Sequence, residues 1–170
     1  MNKKKSISIV TVALMVGLMA ACGGKTDQSK STTTTPAKSM LEEKKVADPK
    51  GIGEVKNVNL TDPMEESMIV SGKAIYEMKC SACHKLTDQR VVGPGWAGVT
   101  NKRRPEWIMN MITNVDMMLE EDPTAQKLLE ECLTRMPNQG VTVGDARSIL
   151  EFMRKNDVEK VGSKDEAINQ

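Results

Sequence analysis

Aromatic side chains are almost missing from this 170-residue chain, which has one phenylalanine, one tyrosine and two tryptophans: Phe152, Tyr76, Trp96 and Trp107. A domain with so little aromatic mass has a small aliphatic core, or a core filled by something else. A large flat cofactor would close that gap. Histidine is scarcer still: His84 stands alone, so no site can be built from two imidazoles of this chain. Charge of one sign is lacking as well, with 24 Lys and Arg against 23 Asp and Glu. Without a dominating basic field the chain has no means of neutralising many phosphates, which argues against nucleic acid as a partner. Runs of alternating apolar and polar residues are absent, so no strand is expected, and there is no internal repeat.

Both ends of the chain are low in core-forming residues. "MNKKK" followed by "SISIVTVALMVGLMAA" is a basic n-region and an apolar h-region. It reads as an export signal over 1–21, too short and wrongly flanked for a comfortable spanning helix. A retained signal anchor is the alternative. "LMAACGG" resembles a bacterial lipobox, with Met19 where that box usually carries an aliphatic residue. Cys22 would then be the new N-terminus and carry lipid, with several acyl chains holding it to a membrane. Gly23 follows the cysteine, and the aspartate that commonly retains lipoproteins at an inner membrane is absent. The expected location is therefore the cell envelope, facing the periplasm, with the outer membrane favoured. Loss of Lys3, Lys4 and Lys5 leaves 21 basic against 23 acidic side chains, so the mature chain is near neutral. Residues 22–65 are polar, small and broken by Pro49, Gly51, Gly53 and Pro63. They are expected to be a flexible, lipidated tether. The last stretch, 159–170, is polar and expected to fray.

Between them, 66–158 carries helical periodicity. Met68, Ile69, Gly72, Ile75 and Tyr76 share a face of a helix over 66–79. Pro105 opens a second helix over 104–114, and Asp122 with Pro123 opens a third over 123–134. Thr142, with Asp145 three residues on, opens a fourth over 143–156, whose stripe is Ala146, Ile149, Leu150 and Met153. The expected fold class is all-α: a small helical domain with long turns.

The chemistry sits in "YEMKCSACHKL", residues 76–86. Cys80, Cys83 and His84 supply at most three zinc ligands, and a structural zinc needs four. A redox dithiol belongs at a strand–helix junction, and no strand is expected. A disulfide between Cys80 and Cys83 would close a tight ring and leave His84 without a role. C-x-x-C-H is the attachment signature of c-type haem: two thiols add to two vinyl groups, and the next residue reaches under the ring as proximal iron ligand. Attachment occurs outside the cytoplasm, which agrees with the export signal, and one covalent haem c would fill the core that the aromatics leave.

On "GKAIYEMKCSACH", "VVGPGWAGV", "RMP" and "ILEFM" the chain resembles the monohaem class I cytochromes c, over about residues 68–156. The resemblance implies that Gly72 and Tyr76 on the first helix meet Leu150, Phe152 or Met153 on the last. It implies that Pro94 accepts the Nδ1–H of His84, and that Met136, followed by Pro137, is the sixth iron ligand. Met117 and Met118 are rivals for that place, while Met109 and Met111 read as packing. Trp96, Arg103 and Arg104 are candidate donors to the haem propionates. Cys132 reads as a small buried hydrophobe.

An iron held by His84 and Met136 has no open position, so the expected function is one-electron transfer between redox donor and acceptor proteins. The alternative is a haem enzyme or a gas or redox sensor with a labile sixth ligand. A domain of a larger respiratory complex is a further reading. "GPGWAGVT", "RRPEWIMNMI", the Asp122–Pro123 pair and "MPNQ", over residues 93–139, are also similar to the small cytochromes that accompany nitrous-oxide reductases in some anaerobic respirers.

Overall fold

The computed structural model describes residues 46–162 and 164–169. The export signal, Cys22 and the tether as far as residue 45 lie outside the described residues. The helices are α1 (Glu66–Lys79), α2 (Val99–Lys102), α3 (Pro105–Thr113), α4 (Val115–Glu121), α5 (Pro123–Cys132) and α6 (Val143–Asn156). A π-turn over Asp157–Val161 and a 3-10 turn over Glu166–Asn169 close the chain. Among the described residues there is no strand, only an isolated antiparallel bridge between His84 and Arg90, so the fold is all-α as expected. No described helix is long and apolar enough to cross a membrane.

The helix starts follow the chemistry read from sequence. Asp122 accepts from the Ala125 amide at 2.8 Å, with Pro123 in the first helical turn of α5. Thr142 Oγ1 accepts from the Asp145 amide at 3.1 Å and donates to the Asp145 carboxylate at 2.9 Å, which closes a reciprocal cap on α6. Two short helices were not expected. α2 turns the chain after Trp96, and α4 buries Val115, Met118 and Leu119, an i, i+3, i+4 set in seven residues.

The frame of the domain is the crossing of α1 and α6. A Cβ at Gly72 would lie 2.0 Å from the Ser148 carbonyl oxygen, so the two backbones touch where no side chain fits. Around that crossing Ile69, Tyr76, Ile149, Leu150 and Phe152 are buried. Each large apolar side chain removed from water there contributes about 1.5–3 kcal/mol.

Packing does not begin at residue 65. The tether boundary expected there is corrected, because residues 48–65 lie along the helical domain. Val55 is 6% exposed, and buried Asn110 on α3 accepts from its amide at 3.1 Å. Asn110 Nδ2 also donates to the carbonyls of Lys50 and Val55, both at 3.0 Å. The Gly53 backbone approaches so closely that a Cβ would meet the Asn110 side chain at 2.2 Å. Lys50 reaches buried Glu106 at 3.2 Å. Burial would push the Glu106 carboxyl up, but its own amide, Lys50 and Arg104 outweigh that and hold it below the ordinary glutamate range.

The C-terminal tail is docked too, where fraying was expected. Arg154 is fully buried on α6, donating to Glu151 at 2.8 Å, to the Thr61 carbonyl at 3.2 Å and to Asp165 at 3.0 Å. Burial opposes its charge, but Asp165 and Glu151 outweigh that and keep its pKa raised. One guanidinium thus ties the N-terminal arm and the tail to one helix. Ala167 is buried beyond it, and the Glu166 amide donates to Asn101 at 3.2 Å.

Candidate functional site

The C-x-x-C-H motif continues the winding of α1. The amides of Cys80 and Ser81 donate to the Tyr76 carbonyl, and the amides of Cys83 and His84 donate to the Cys80 carbonyl. Cys80, Cys83 and His84 therefore sit on successive turns at the foot of a rigid helix. Tyr76 Oη donates to the His84 carbonyl at 2.8 Å and fixes the end of that winding. Both thiols are half-buried and free. Burial, with a smaller push from Cys83, raises the Cys80 thiol above its usual pKa despite Lys79 beside it.

His84 is oriented by the loop that follows. Its Nδ1 lies 2.9 Å from the Pro94 carbonyl oxygen, so Nδ1–H donates there and Nε2 is left as the ligating nitrogen. Burial pushes the imidazole pKa down, with the Pro94 bond opposing, which favours the neutral ring that iron requires. The loop lies close because Gly93 has no side chain: a Cβ there would be 2.4 Å from His84 Cε1. Trp96 packs at 5.5 Å from the imidazole and 4.9 Å from Tyr76, and Phe152 continues the cluster at 5.5 Å from Tyr76.

Beside this cluster lies a cavity of about 600 Å³ with an overwhelmingly apolar wall, which Cys80, Tyr76 and Phe152 do not themselves line. That size and character match a cofactor site. Cys83, His84, Pro94 and Trp96 line it, and so do Met136 and Pro137 from the segment after α5. Among the described residues no group of three or more His, Cys, Asp or Glu comes together as a metal cluster, so a zinc ion finds no donor set. A planar, apolar macrocycle with one histidine beneath it is what these walls fit.

Not every expected residue reaches the wall. Arg103 does, lying 5.1 Å over the Trp107 ring. Arg104 turns away and donates to Glu106 at 3.4 Å, because a carboxylate only 5% exposed at the start of α3 draws the nearest cations. Lys102 and Arg135, which were not picked out from sequence, line the cavity instead. Neither rival methionine on α4 reaches it. Met118 is fully buried, with Sδ accepting from the Ile52 amide at 3.0 Å, and Met117 is exposed. Met111, read as packing, and Met153 do line the cavity, and Cys132 lines it rather than lying buried in the core. The period of α3 carried that signal for Met111, which falls one turn from Trp107 on the same face.

A family model described as Cytochrome c matches residues 69–157. The chain belongs to the cytochrome c family. Such proteins carry covalently attached haem c, and the donor set and cavity above fit one haem per chain. The chain is similar to a cytochrome c from Rhodothermus marinus, with 32% identity and a TM-score of 0.63, over 66% of this chain and all of that one. An engineered form of that protein, Rma TDE, gives 32% identity and a TM-score of 0.61, over 65% of this chain and 98% of that one. A search of curated proteins finds no match to this chain.

Proposed function

We propose that the protein is a one-electron carrier in which Cys80 and Cys83 form the thioethers, His84 is the proximal ligand and Met136 the distal one. The observation that carries this reading is a single apolar cavity with His84, anchored through Nδ1, and Met136 both on its wall. The haem supplies the exchange of one electron at its iron. The chain's own residues set the conditions. Pro94 holds the imidazole in one tautomer, and Met136 offers a soft, uncharged sulfur that favours the ferrous state. Trp96, Trp107 and Met153 on the wall would keep water from the bound ring. Lys102, Arg103 and Arg135 are the cations on the wall able to meet the two propionates. With His84 and Met136 both holding the iron, no position would be left for a gas or substrate, so the alternative of a haem enzyme or gas sensor is not favoured.

The carrier is held at the cell envelope by lipid on Cys22 and works between redox partners of an anaerobic respiratory chain. The likeness of residues 93–139 to the cytochromes that accompany nitrous-oxide reductases supports such an enzyme as acceptor. The test uses purified holoprotein. Iron analysis should give one iron per chain, and Cys80→Ala/Cys83→Ala should lose covalent haem; normal attachment in that variant overturns the site. Reduced protein mixed with a nitrous-oxide reductase and its substrate should be reoxidised in many turnovers. No reoxidation removes that acceptor from the reading and leaves the carrier. Cys22→Ala should move the protein from the membrane to the soluble fraction with its spectrum unchanged.

A further inference from the structure

The segment that carries Met136 has little structure of its own. Beyond α5 it forms neither helix nor strand as far as Thr142. It begins at Leu133, whose backbone is left-handed (φ 57°) and whose side chain is 89% exposed, so no apolar anchor holds its start. Val141 is buried at its far end; nearer Met136, the attachments of the segment and of the last turn of α5 before it are cationic. Arg90 donates through Nη1 to the Glu131 carbonyl at 2.6 Å and through Nη2 to the Glu131 carboxylate at 3.2 Å. Lys79 Nζ donates to the Gln139 carbonyl at 2.8 Å. Arg135 pairs with Asp116 at 3.0 Å and Glu120 at 3.6 Å on α4.

The first two attachments share a geometry. Lys79 immediately precedes Cys80, and the Arg90 backbone bridges to His84. The two flanks of the haem-attachment motif thus reach across to either side of Met136: Arg90 grips the last turn of α5, five residues before it, and Lys79 grips the distal segment three residues after it. Both grips are at the surface: Arg90 and Glu131, 44% and 43% exposed, form a charge pair, and the Lys79 ammonium donates to a neutral carbonyl. Exposed charge pairs are screened by salt, with a Debye length of about 8 Å at physiological ionic strength and 3 Å at 1 M.

We propose that Lys79 and Arg90 are positioning residues that latch the Met136 segment against the proximal side, so that ionic strength sets how often the sixth iron position opens. This rests on Met136 being the ligand. Each exposed latch shifts an opening equilibrium by about 1.5- to 5-fold. The two sit on opposite sides of Met136 without a shared partner, so their effects should multiply.

The experiment is carbon monoxide binding to the ferrous holoprotein, whose rate is limited by release of the thioether. Wild type, Lys79→Gln, Arg90→Gln, Glu131→Gln and the Lys79→Gln/Arg90→Gln double variant are compared at low and high salt. The wild-type rate should rise several-fold with salt. Each single variant should bind faster at low salt, Arg90→Gln more than Glu131→Gln, because the latter keeps the bond to the carbonyl. The double variant should bind about tenfold faster, with the salt dependence reduced to what the Arg135 pairs with Asp116 and Glu120 leave. The weak long-wavelength band of the thioether–iron bond should persist in all of them. Lys73→Gln, whose partner is Glu77 on α1 itself, is the control and should behave as wild type. A wild-type rate indifferent to salt, unchanged rates in the latch variants, or an equal effect from Lys73→Gln overturns the latch. Met136→Ala separates the two readings: if that variant keeps the thioether band, the ligand assignment falls, and if it loses the band while the latch variants stay at the wild-type rate, only the latch falls.

Discussion

Gly72→Ala is the sharpest test of how the domain is framed. The added Cβ would lie 2.0 Å from the Ser148 oxygen, 2.5 Å from the Ser148 carbonyl carbon and 2.9 Å from the Ile149 nitrogen. Comfortable contact begins at about 3.5 Å, so α1 and α6 have to part by about 1 Å or more. All three obstacles are backbone atoms inside a helix, and no rotamer change relieves them. Overpacking of this kind costs about 1–3 kcal/mol, and this case belongs at the upper end. Alanine returns about 1 kcal/mol of helix propensity, which leaves a net loss of about 2 kcal/mol. For a domain between the smallest and the mid-sized class that lowers the melting temperature by about 6–12 °C. Gly144→Ala is the matched control. It sits in the first turn of α6 with nothing nearer than Thr142 Oγ1 at 3.9 Å, and should stabilise by about 0.5–1 kcal/mol. Thermal melting of the holoproteins, followed by circular dichroism, reads both. A Gly72→Ala protein that melts at or above wild type would refute the claim that the helices meet backbone to backbone.

Three further outcomes are expected. Met136→Ala should lose the thioether–iron band, bind carbon monoxide readily and show a lower potential, each tenfold loss of preference for ferrous iron appearing as about 59 mV in a redox titration; an unchanged band would turn attention to Met111 and Met153 on the same wall. Asn110→Ala should cost about 2–3 kcal/mol, since the Val55 amide and the Val55 and Lys50 carbonyls lose their partner; limited proteolysis should then cut within residues 48–60 before the helices, and resistance equal to wild type would count against the docked arm. Glu106 has its folded pKa held below the ordinary glutamate value of about 4.3, so its stabilising contribution is present above that value and disappears as pH falls through the lowered one. Melting temperature against pH should therefore drop less steeply in Glu106→Gln than in wild type below about pH 4.5, and parallel curves would sink this account.

The site was legible where chemistry is local. Cys80, Cys83 and His84 are contiguous, and their geometry follows from the helix they end. Pro94 was legible only through a family likeness, since nothing in ten residues of loop tells that a carbonyl returns to the imidazole. Caps at Asp122 and Thr142 could be read because an N-cap bonds within three residues of itself. α4 was lost for the opposite reason. Seven residues make too short a period to stand out, and Asp116, Met117, Glu120 and Glu121 diluted a stripe of only three buried side chains. The methionines misled in the same way: thirteen of them offer thioethers everywhere, and only packing separates Met111 on the cavity wall from Met118 beneath the arm.

The arm and the tail were misread as loose because composition was taken as a measure of order. Both segments are polar in composition, yet the arm buries Val55 and packs Ile52, Val58, Leu60 and Met64 against the core, and each segment is held by a buried polar group on a helix. Asn110 serves groups 55 and 60 residues away, and Arg154 reaches Thr61 across 93 residues and Asp165 across 11. No window of sequence contains both ends of the bonds from Asn110 or of the bond from Arg154 to Thr61. What the sequence does carry is a cost: Asn110, Arg154, Glu151 and Asp157 lie on faces that α3, α6 and the turn after it bury, and a buried polar group without a partner is destabilising by about 1–3 kcal/mol. Each of them therefore demands a partner from outside its own helix. In a domain with four aromatic residues, three of them in one cluster under Tyr76 and the fourth on the cavity wall, apolar mass is concentrated at the haem site. The periphery is then closed by those polar demands, and the segments that answer them are the ones that a hydrophobic pattern assigns to solvent.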